Sequence, residues 1–415
     1  MITKVRGTQD LLDLKLQNFV LDQLKKHLQS YNFSEIETPI LEHTKLFISS
    51  LGEETDVVSK EMYVFPAENK EDRICLRPEA TASTTRAFFE NKIEDKPWKV
   101  FSHGPMFRRE RPQKGRWRQF TQFNIEILET DSIAQDAQFI KMIDVFFDEV
   151  LKLENYVLKI NFLGCIEDRK NHREKLNEFL ETIKDQICPT CQVRKEKNIL
   201  RIFDCKNETC QKLYQNAPKL TDNLCSKCDE EWQNLQETLQ ILSVSHVHDP
   251  FLVRGLDYYN KTVFEFTSSE LGAQSAFAGG GRYDLGTKVE SKKECPSIGT
   301  AIGMGRLLLL IEKNQDKLTI PHASALHLIL PMTKEQQSLA LLLAQELQSK
   351  KLCTDVLLEG ASMKSMMRKA NKMCAKYVFI LGEEEQKNNT VTIKNMLNGE
   401  NKTVKQAEVV SFLKG

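Results

Sequence analysis

The sequence has no excess of charge of either sign and no long apolar run. It contains 58 lysines and arginines against 58 aspartates and glutamates, so binding of nucleic acid would depend on local basic surfaces rather than on the overall field. No apolar segment reaches the length of a membrane span, and the opening residues MITKVRGTQD lack the apolar core of a signal peptide. We therefore expect no membrane attachment.

The length and the cysteine count set further expectations. Eleven cysteines are an odd number in a large chain without a recognisable export signal, which predicts reduced thiols and a cytoplasmic location. A chain of 415 residues is long enough for two or three domains with ample buried core.

The most informative segment runs from residue 107 to residue 126 and reads FRRERPQKGRWRQFTQFNIE. Its flanks alternate in polarity, and Pro112 and Gly115 mark a turn, so the pattern predicts an antiparallel hairpin with a basic loop. Guanidinium groups pair with phosphate oxygens and aromatic faces stack on bases, although a solvated charged hairpin has the same composition. The cations and aromatic residues are Arg108, Arg109, Arg111, Lys114, Arg116, Arg118, Phe107, Trp117 and Phe120.

The order of these residues resembles the second signature motif of the class II aminoacyl-tRNA synthetases. The string FRRE precedes the loop and RWRQF closes it; together with Gln122 and Glu126, the longer string ERPQKGRWRQF resembles the histidyl-tRNA synthetase family in particular. The resemblance implies that Arg108 grips the α-phosphate of ATP and that Phe120 stacks on adenine.

A helix and a strand near the N-terminus resemble the first class II motif, which builds a dimer interface in that family. Apolar residues at helical spacing predict the helix, and a strand is expected over residues 35–41, which include Pro39. The resemblance therefore implies a homodimer. The apolar helix positions are Leu16, Phe19, Val20, Leu24 and Leu28.

Three later regions extend the resemblance. Residues 72–81, DRICLRPEAT, match a family segment that receives the substrate's α-amino group, with Ala80 in place of the usual glycine. RGLDYY at residues 254–259 resembles the segment that distinguishes the histidyl family, and AGGGRYD at 278–284 resembles its glycine-rich stretch. GTAIGMGR at 299–306 resembles the third class II motif and places Arg306 at the start of an apolar helix.

The resemblance implies activation of histidine by ATP and Mg²⁺ to histidyl-adenylate, followed by transfer to the 3′ end of histidine tRNA. Arg254 and Arg108 would be catalytic, because cations neutralise and align a carboxylate that attacks the α-phosphorus. Gln113 and Arg118 would contact the tRNA acceptor end, since both can present paired hydrogen bonds to a base edge. The implied ATP contacts are Arg108, Glu110, Arg116, Phe120 and Arg306. The implied histidine contacts are Glu79, Ala80, Thr81, Arg108, Gln122, Glu126, Arg254, Tyr258, Tyr259 and Tyr283.

Residues 166–245 are polar, largely helical in period and rich in cysteine, and we expect them to form an insertion in the catalytic core. Two CxxC pairs have the spacing of a tetrahedral structural Zn²⁺ site, whereas Cys205 and Cys210 are expected to be spaced too widely to take part. Buried reduced thiols without metal are the alternative. The predicted zinc ligands are Cys188, Cys191, Cys225 and Cys228.

A polar stretch at residues 315–322 predicts a linker to a smaller domain. Apolar strands, expected at 326–330, 354–358, 377–381 and 390–393, alternate with helical segments and predict an α/β domain with a mixed sheet. The second helical segment carries a basic face that a solvated surface would also explain, but the resemblance favours an anticodon-binding domain. The basic residues are Lys364, Arg368, Lys369, Lys372 and Lys376.

The whole sequence therefore predicts an α+β protein with an antiparallel-sheet catalytic core of the class II synthetase type. We expect the core at residues 1–165 and 246–315, the helical insertion at 166–245 and the α/β anticodon-binding domain at 322–415. The implied activity is a cytoplasmic, homodimeric ligase that binds histidine, ATP and histidine tRNA. The alternative is a catalytically silent synthetase-like protein with a regulatory or tRNA-sensing role.

Overall fold

The computed structural model describes residues 2–53, 55–69, 73–113, 115–272, 275–289, 293–320, 324–359 and 362–414. Lys114 of the predicted basic loop and residues 321–322 of the predicted linker lie outside the described residues. The chain divides into two compact units, Met1–Ile320 and Pro321–Gly415. Among the described residues, no helix combines the length and the apolar character needed to cross a lipid bilayer.

The first unit contains eleven strands and ten α-helices among its described residues. The strands are β1 Ser34–Glu35, β2 Leu41–His43, β3 Tyr63–Val64, β4 Ile74–Leu76, β5 Trp98–Phe107, β6 Gln119–Leu128, β7 Val157–Phe162, β8 Val247–His248, β9 Tyr259–Thr267, β10 Ala276–Asp284 and β11 Pro296–Gly303. The helices are α1 Lys15–Ser30, α2 Thr44–Leu51, α3 Thr81–Glu90, α4 Ile133–Val145, α5 Ile166–Thr182, α6 Pro189–Lys197, α7 Glu208–Tyr214, α8 Ser226–Ile241, α9 Gly286–Val289 and α10 Met304–Ile311. Short π-helical turns lie at Val57–Glu61 and Phe146–Val150, and 3₁₀ turns at Ile199–Asp204, Leu220–Asn223, Ser269–Leu271 and Glu312–Lys317.

An eight-stranded sheet in the order β1-β5-β6-β11-β10-β9-β7-β8 forms the centre of this unit. Its six inner strands pair antiparallel, and the two short edge strands pair parallel to their neighbours. The expected antiparallel-sheet core is therefore confirmed. β5 and β6 form the predicted hairpin, with register from Trp98 opposite Leu128 to Phe107 opposite Gln119.

The alternation along β6 shows how the sheet separates its core from its polar face. Phe123, Ile125 and Ile127 are buried in the main apolar core, which α1, α4 and α10 also supply. Because successive strand residues point to opposite faces, the intervening Asn124 and Glu126 point to the other face. That second face lies under the candidate site.

Near the N-terminus the structure confirms one prediction and corrects another. Helix α1 forms over the predicted apolar spacing and buries Val20, Leu24 and Leu28. The strand expected over 35–41 was wrong, because only β1 and β2 form at its ends. The Arg77 guanidinium donates to the carbonyl and hydroxyl oxygens of Thr38, at 2.8 and 3.0 Å, and Pro39 has no N–H for a ladder.

Helices α5 to α8 lie between β7 and β8 and make up the cysteine-rich insertion. They have a small apolar core of their own, to which Leu176, Leu180, Ile202 and Tyr214 contribute.

The second unit is an α/β fold with a mixed sheet in the order β13-β12-β14-β15-β16. The first three of these strands pair parallel and the last two add antiparallel, which confirms the mixed sheet. The last strand was not predicted, because its sequence NKTVK is polar and mostly exposed. The strands are β12 His327–Pro331, β13 Thr354–Val356, β14 Tyr377–Leu381, β15 Thr390–Asn395 and β16 Asn401–Lys405. The helices are α11 Gln337–Ser349, α12 Met363–Lys372, α13 Glu383–Asn388 and α14 Val409–Lys414, with 3₁₀ turns at Lys334–Gln336 and Gln406–Glu408.

Candidate active site

A cavity of about 430 Å³ lies over the polar face of the large sheet. Residues of β6, β9, β10 and β11 contribute to its lining, and its size is that of a small-molecule site. Most residues that the sequence singled out meet here, although they come from distant parts of the chain. The predicted residues that line the cavity are Glu79, Thr81, Arg108, Glu110, Arg116, Phe120, Gln122, Arg254, Tyr258, Tyr259 and Arg306.

Glu126 and Tyr283 do not line the cavity but are almost fully buried. The Tyr283 hydroxyl donates to Glu126 Oε2 over 2.8 Å, and the Thr81 hydroxyl, whose residue lines the cavity, donates to Glu126 Oε1 over 2.7 Å. This chain of contacts connects the buried carboxyl to the cavity through Thr81.

Burial raises the pKa of Glu126 to about 8, because desolvation outweighs the hydrogen bonds from Thr81 and Tyr283, and the nearby charge of Glu79 adds to the shift. The backbone of β11 permits this carboxyl position only because residue 299 is glycine, since a Cβ there would lie 1.6 Å from Glu126 Oε2. Burial at this position thus favours the neutral form of the carboxyl group.

Glu79 stands at the N-terminal end of α3, which brings it into the cavity. Its Oε2 and Oε1 accept hydrogen bonds from the backbone N–H groups of Thr81 and Ala82, at 2.8 and 3.0 Å, which satisfies two donors of the first helical turn. Ala80 is fully buried and has φ −114°, a region open to L-residues. The backbone at the position where the family has glycine therefore accepts a methyl group without strain.

All four of the arginines predicted to bind substrates, Arg108, Arg116, Arg254 and Arg306, line the cavity. Desolvation lowers the pKa of Arg108. Burial and then the neighbouring Arg116 charge also lower the pKa of Arg306. Because desolvation disfavours the charges of Arg108, Arg116 and Arg306, an anion bound beside them would stabilise these charges.

Carboxylates and carbonyl groups hold these arginines in place. Arg116 forms an ion pair with Glu110, and Arg306 donates to the carbonyl oxygens of Gly115 and Ala276, at 3.1 and 2.6 Å. The Arg108 Nε donates to the carbonyl of Pro78 at 2.9 Å.

Arg254 is held by two side chains of β9. Its Nη1 lies 2.5 Å from Glu265 Oε1, and its guanidinium lies 5.8 Å from the centre of the Tyr259 ring. Burial opposes its charge, but Glu265, Tyr259 and Tyr258 outweigh burial and raise the pKa of Arg254. Gly279 leaves the necessary room, since a Cβ there would lie 2.6 Å from Arg254 Nη1.

The loop between β5 and β6 is a tight hairpin tip rather than an open loop. Gln113 and Arg116 exchange backbone hydrogen bonds of 3.2 and 2.9 Å, which leaves the Gln113 side chain exposed. Arg118 is partly buried, donates from Nε to the Glu110 carbonyl at 3.3 Å and bonds to Gly7 through its backbone N–H. Of the two predicted tRNA contacts, only Gln113 thus projects into solvent.

The structure adds cavity residues that the sequence analysis missed. Arg201 and Asp204 of the insertion line the cavity, as do Asn124 and Glu265 of the sheet. Arg201 Nη2 pairs with Asp56 Oδ2 at 3.0 Å, which ties the insertion to the core. Alternation along β6 could have identified Asn124, but no local pattern indicates that the turn Ile199–Asp204 reaches the cavity.

The predicted zinc ligands do not come together, and that prediction was wrong. Cys188 and Cys191 form one group with Cys205 and Cys210, whereas the other CxxC pair forms a second group, and ligand atoms lie within 4.8 Å of one another inside each group. The second group consists of Cys165, Asp168, Cys225 and Cys228. The reason is α5, whose 17 residues span about 25 Å. Asp168 and the second group lie at its start, and Cys188 follows its end.

Comparison with known protein families assigns both units. Residues 7–307 match the family model described as histidyl-tRNA synthetase, and residues 327–415 match the model described as anticodon binding domain.

Individual proteins are similar over the whole chain. The histidine–tRNA ligase of Halothermothrix orenii is 41% identical over 98% of this chain and 97% of its own length. The histidine–tRNA ligase of Clostridioides difficile is 40% identical over 100% of this chain and 99% of its own length. The crystal structure of apo histidyl-tRNA synthetase from S. aureus matches with a TM-score of 0.81 and 30% identity, covering 100% of both chains.

Proposed function

Because the chain belongs to the histidyl-tRNA synthetase family, we propose that its cavity binds histidine beside ATP and that Arg108 and Arg254 clamp the reacting groups. The protein is a histidine–tRNA ligase: it joins histidine to the AMP part of ATP with release of pyrophosphate, and it then passes the histidyl group to its tRNA. The observation that carries the residue assignments is the meeting of four arginines with the Glu126 network at one cavity.

The histidine side of the cavity needs partners for a charged ammonium group and for both ring nitrogens. Glu79, Thr81 and Gln122 are assigned to the α-amino group, and Gln122 Oε1 is a buried acceptor without a hydrogen-bond partner among the described residues. Glu126 and Tyr283 are assigned to the imidazole end, together with Tyr258 and Tyr259. A buried polar network rejects isosteric amino acids because they would leave its groups unpaired.

The ATP side is assigned to the basic hairpin and to α10. The Arg108 guanidinium lies 5.4 Å from the centre of the Phe120 ring, so an adenine stacked on Phe120 would bring the α-phosphate close to Arg108. Arg116, held by Glu110, and Arg306 are assigned to the departing phosphates. Guanidinium groups suit this task because they pair bidentately with phosphate oxygens.

In the first reaction, a carboxylate oxygen of histidine attacks the α-phosphorus, the bond to the β-phosphate oxygen breaks, and pyrophosphate leaves. Two anions approach each other, so Arg108 and Arg254 lower the barrier by neutralising and aligning them. In the second reaction, a ribose hydroxyl at the 3′ end of the tRNA attacks the carbonyl carbon and AMP leaves.

Mg²⁺ accompanies ATP in this family. Among the described residues, no group of three potential metal ligands converges in the cavity. This fits an ion held mainly by phosphates and water, with one or two carboxylates from the protein. Glu61, which lines the cavity, is assigned as such a carboxylate, and the ion would supply further neutralisation of the phosphates.

We also propose a homodimer in the cytoplasm. The small sheet of β2, β3 and β4 and the residue after β3 expose apolar side chains, among them Leu41 at 51%, Phe65 at 43% and Ile74 at 37%. An exposed apolar patch of this kind marks an interaction surface, and it adjoins the segment that resembles the first class II motif. The cysteines are free, as expected of cytoplasmic thiols.

The tRNA would contact both units. The exposed Gln113 is assigned to the acceptor end, together with Arg118, and the exposed basic face of α12 to the anticodon arm. By this assignment the catalytic core is residues 1–165 and 246–315, the insertion 166–245 and the anticodon-binding domain 322–415.

Exchange of labelled pyrophosphate into ATP tests this proposal. The exchange should depend on histidine and should fall when Arg108 or Arg254 is replaced. A silent regulatory or tRNA-sensing protein would show no histidine-dependent exchange, which would refute the proposal.

A further inference from the structure

The insertion brings four free thiols together. The Sγ atoms of Cys188, Cys191, Cys205 and Cys210 all lie within 4.8 Å of one another, and Cys188 Sγ is 3.8 Å from Cys205 Sγ. Four sulfur atoms bound to zinc at about 2.3 Å are separated by about 3.8 Å, the edge of the tetrahedron. Three of these cysteines are buried and Cys188 is half-buried, so the centre of the group is closed.

Local structure directs each thiol inward. Cys188 is the residue before α6, and the N–H of Cys191 bonds to the Cys188 carbonyl at 2.9 Å. Cys205 follows the turn Ile199–Asp204, and Asn207 caps the helix that carries Cys210, accepting from the Cys210 N–H at 3.2 Å. This cap turns Cys210 back toward Cys205, so four intervening residues are not too many, and C-x₄-C lies within the spacing of known zinc sites.

Backbone donors also point at the sulfur atoms. The N–H of Cys188 donates to Cys210 Sγ at 3.3 Å, and the N–H of Asn207 donates to Cys205 Sγ at 3.4 Å. Such donors stabilise negative sulfur and orient ligands around a metal. The Tyr214 ring packs in the same core, and its buried hydroxyl has no well-aligned partner among the described residues, so a charged sulfur nearby would satisfy it.

The second cysteine group has a different explanation. The Asp168 carboxylate accepts hydrogen bonds from the N–H groups of Cys165 and Cys225, at 3.1 and 2.9 Å, and so caps α5 and fastens the start of α8. Cys225 is exposed. Both carboxylate oxygens already serve the backbone, so this group is a structural cap and an internal comparison for the first.

We propose that Cys188, Cys191, Cys205 and Cys210 bind one structural zinc ion as thiolates. Four thiolates leave no open coordination position, so the ion takes no direct part in catalysis. It stabilises a polar insertion whose own apolar core is small, because zinc binding supplies folding free energy to such segments.

The zinc site also bears on the cavity, and this second step rests on the proposed function. Its two cysteine pairs bracket residues 192–204, which include the cavity residues Arg201 and Asp204. Asn198 of the same segment donates to Asp257 Oδ1 at 2.6 Å. Zinc therefore holds this segment from both ends while Arg201 and Asn198 fasten it to the catalytic core.

Metal analysis of the full-length protein, purified without chelator, tests the site directly. We expect about one zinc per chain, lost in the Cys188→Ser/Cys191→Ser and Cys205→Ser/Cys210→Ser variants and kept in the matched Cys225→Ser/Cys228→Ser variant. Zinc well below one per chain in the wild type, or its loss only in the Cys225→Ser/Cys228→Ser variant, overturns the proposal.

X-ray absorption of the wild-type protein does not depend on how the variants fold. The first group predicts four sulfur neighbours at about 2.3 Å, whereas the second would give a mixture of sulfur and oxygen, which would contradict the assignment. Histidine-dependent exchange is measured in parallel. If the wild-type protein catalyses exchange but contains no zinc, this inference is wrong and the proposed function holds. If the protein contains zinc but catalyses no exchange, the proposed function is wrong and this inference holds. A zinc-free variant with unchanged exchange and KM values overturns the link to the cavity.

Discussion

Tyr283 donates its phenolic hydrogen to Glu126 over 2.8 Å, and both side chains are almost fully buried. Tyr283 follows the glycine-rich run of β10, and Glu126 lies on β6, with β11 between them. The pair crosses three strands of the sheet because Gly299, which pairs with Glu126 on β11, has no side chain, since a Cβ there would lie 1.6 Å from Glu126 Oε2. Gly299 thus makes room for the polar network beneath the cavity.

The burial of the Glu126 carboxyl group predicts that the stability of the protein depends on pH. The pKa of Glu126 is raised from 4.5 to about 8, so the folded state binds this proton more tightly than the unfolded state. Its contribution to stability is fully present below about pH 4.5 and is lost as the pH rises through about 8. The wild type should therefore lose stability relative to Glu126→Gln as the pH rises from 5.5 to 8, by at most about 1.4 kcal/mol per unit.

Urea unfolding at each pH measures this difference. Glu237→Gln, on the exposed face of α8, is the matched control and should show no such trend. A difference between wild type and Glu126→Gln that stays constant over this range would contradict the raised pKa.

Arg254→Ala should slow adenylate formation by roughly two to three decades, the scale of one preorganised electrostatic donor. Gly279→Ala offers a finer test, because its methyl group would displace the guanidinium without removing it. It should give a smaller loss in the same step. Single-turnover formation of adenylate measures both, with unfolding curves as the check on folding. Near-normal rates in Arg254→Ala would remove Arg254 from the catalytic step.

Much of the sheet could be predicted because its signals are local. The hairpin alternates in sequence, and Arg306 opens an apolar helix directly after a glycine-rich strand. The contribution of the insertion could not be predicted, because Arg201 reaches the cavity only through the folding of helices far along the chain. The predicted set of zinc ligands was wrong for the same reason. Spacing indicates which two cysteines form a CxxC pair, but it does not show that α5 holds the two pairs apart.

Burial that depends on residues far apart in the sequence also could not be predicted from local sequence patterns. Arg282 lies within the glycine-rich motif, and arginine side chains are mostly exposed in folded proteins. It is 1% exposed and donates from Nε to Asp136 Oδ2 at 3.0 Å, from β10 to the start of α4. A buried arginine needs such a partner, but the two residues are 146 positions apart, so no window of sequence contains both.

Gln113→Ala should slow transfer to tRNA more than it slows adenylation. The side chain stands exposed at the hairpin tip, whereas Arg116 lines the cavity and Arg118 is partly buried. Transfer from preformed adenylate is measured against the exchange reaction in the same preparation. Equal losses in the two steps would indicate that the hairpin tip serves ATP alone.

Leu41→Glu together with Phe65→Glu should dissociate the proposed dimer, because burial of two carboxylates against an apolar partner surface is costly. Leu397→Glu, at a side chain that is 85% exposed in the second unit, is the control and should leave the mass unchanged. Light scattering coupled to gel filtration gives the mass of each variant. A wild-type monomer, or a double variant that remains dimeric, would place the interface elsewhere or rule it out.

The basic face of α12 should contribute a salt-dependent share of tRNA affinity. Lys364 and Lys372 are exposed, whereas Met366 and Ala370 on the opposite side of the helix pack into the domain. Lys364→Gln with Lys372→Gln should therefore weaken tRNA binding without unfolding the domain. Each phosphate contact that is lost should lower the slope of log K against log salt by about 0.7 to 0.9.

The control for this prediction is Lys350→Gln with Lys351→Gln. These two lysines are exposed just beyond α11, so the control removes the same charge elsewhere and should change the slope little. Histidine activation should be the same in the wild type and both double variants, because the lysines act only on the tRNA. Equal slopes for the two double variants would mean that net charge, and not this helix face, attracts the tRNA.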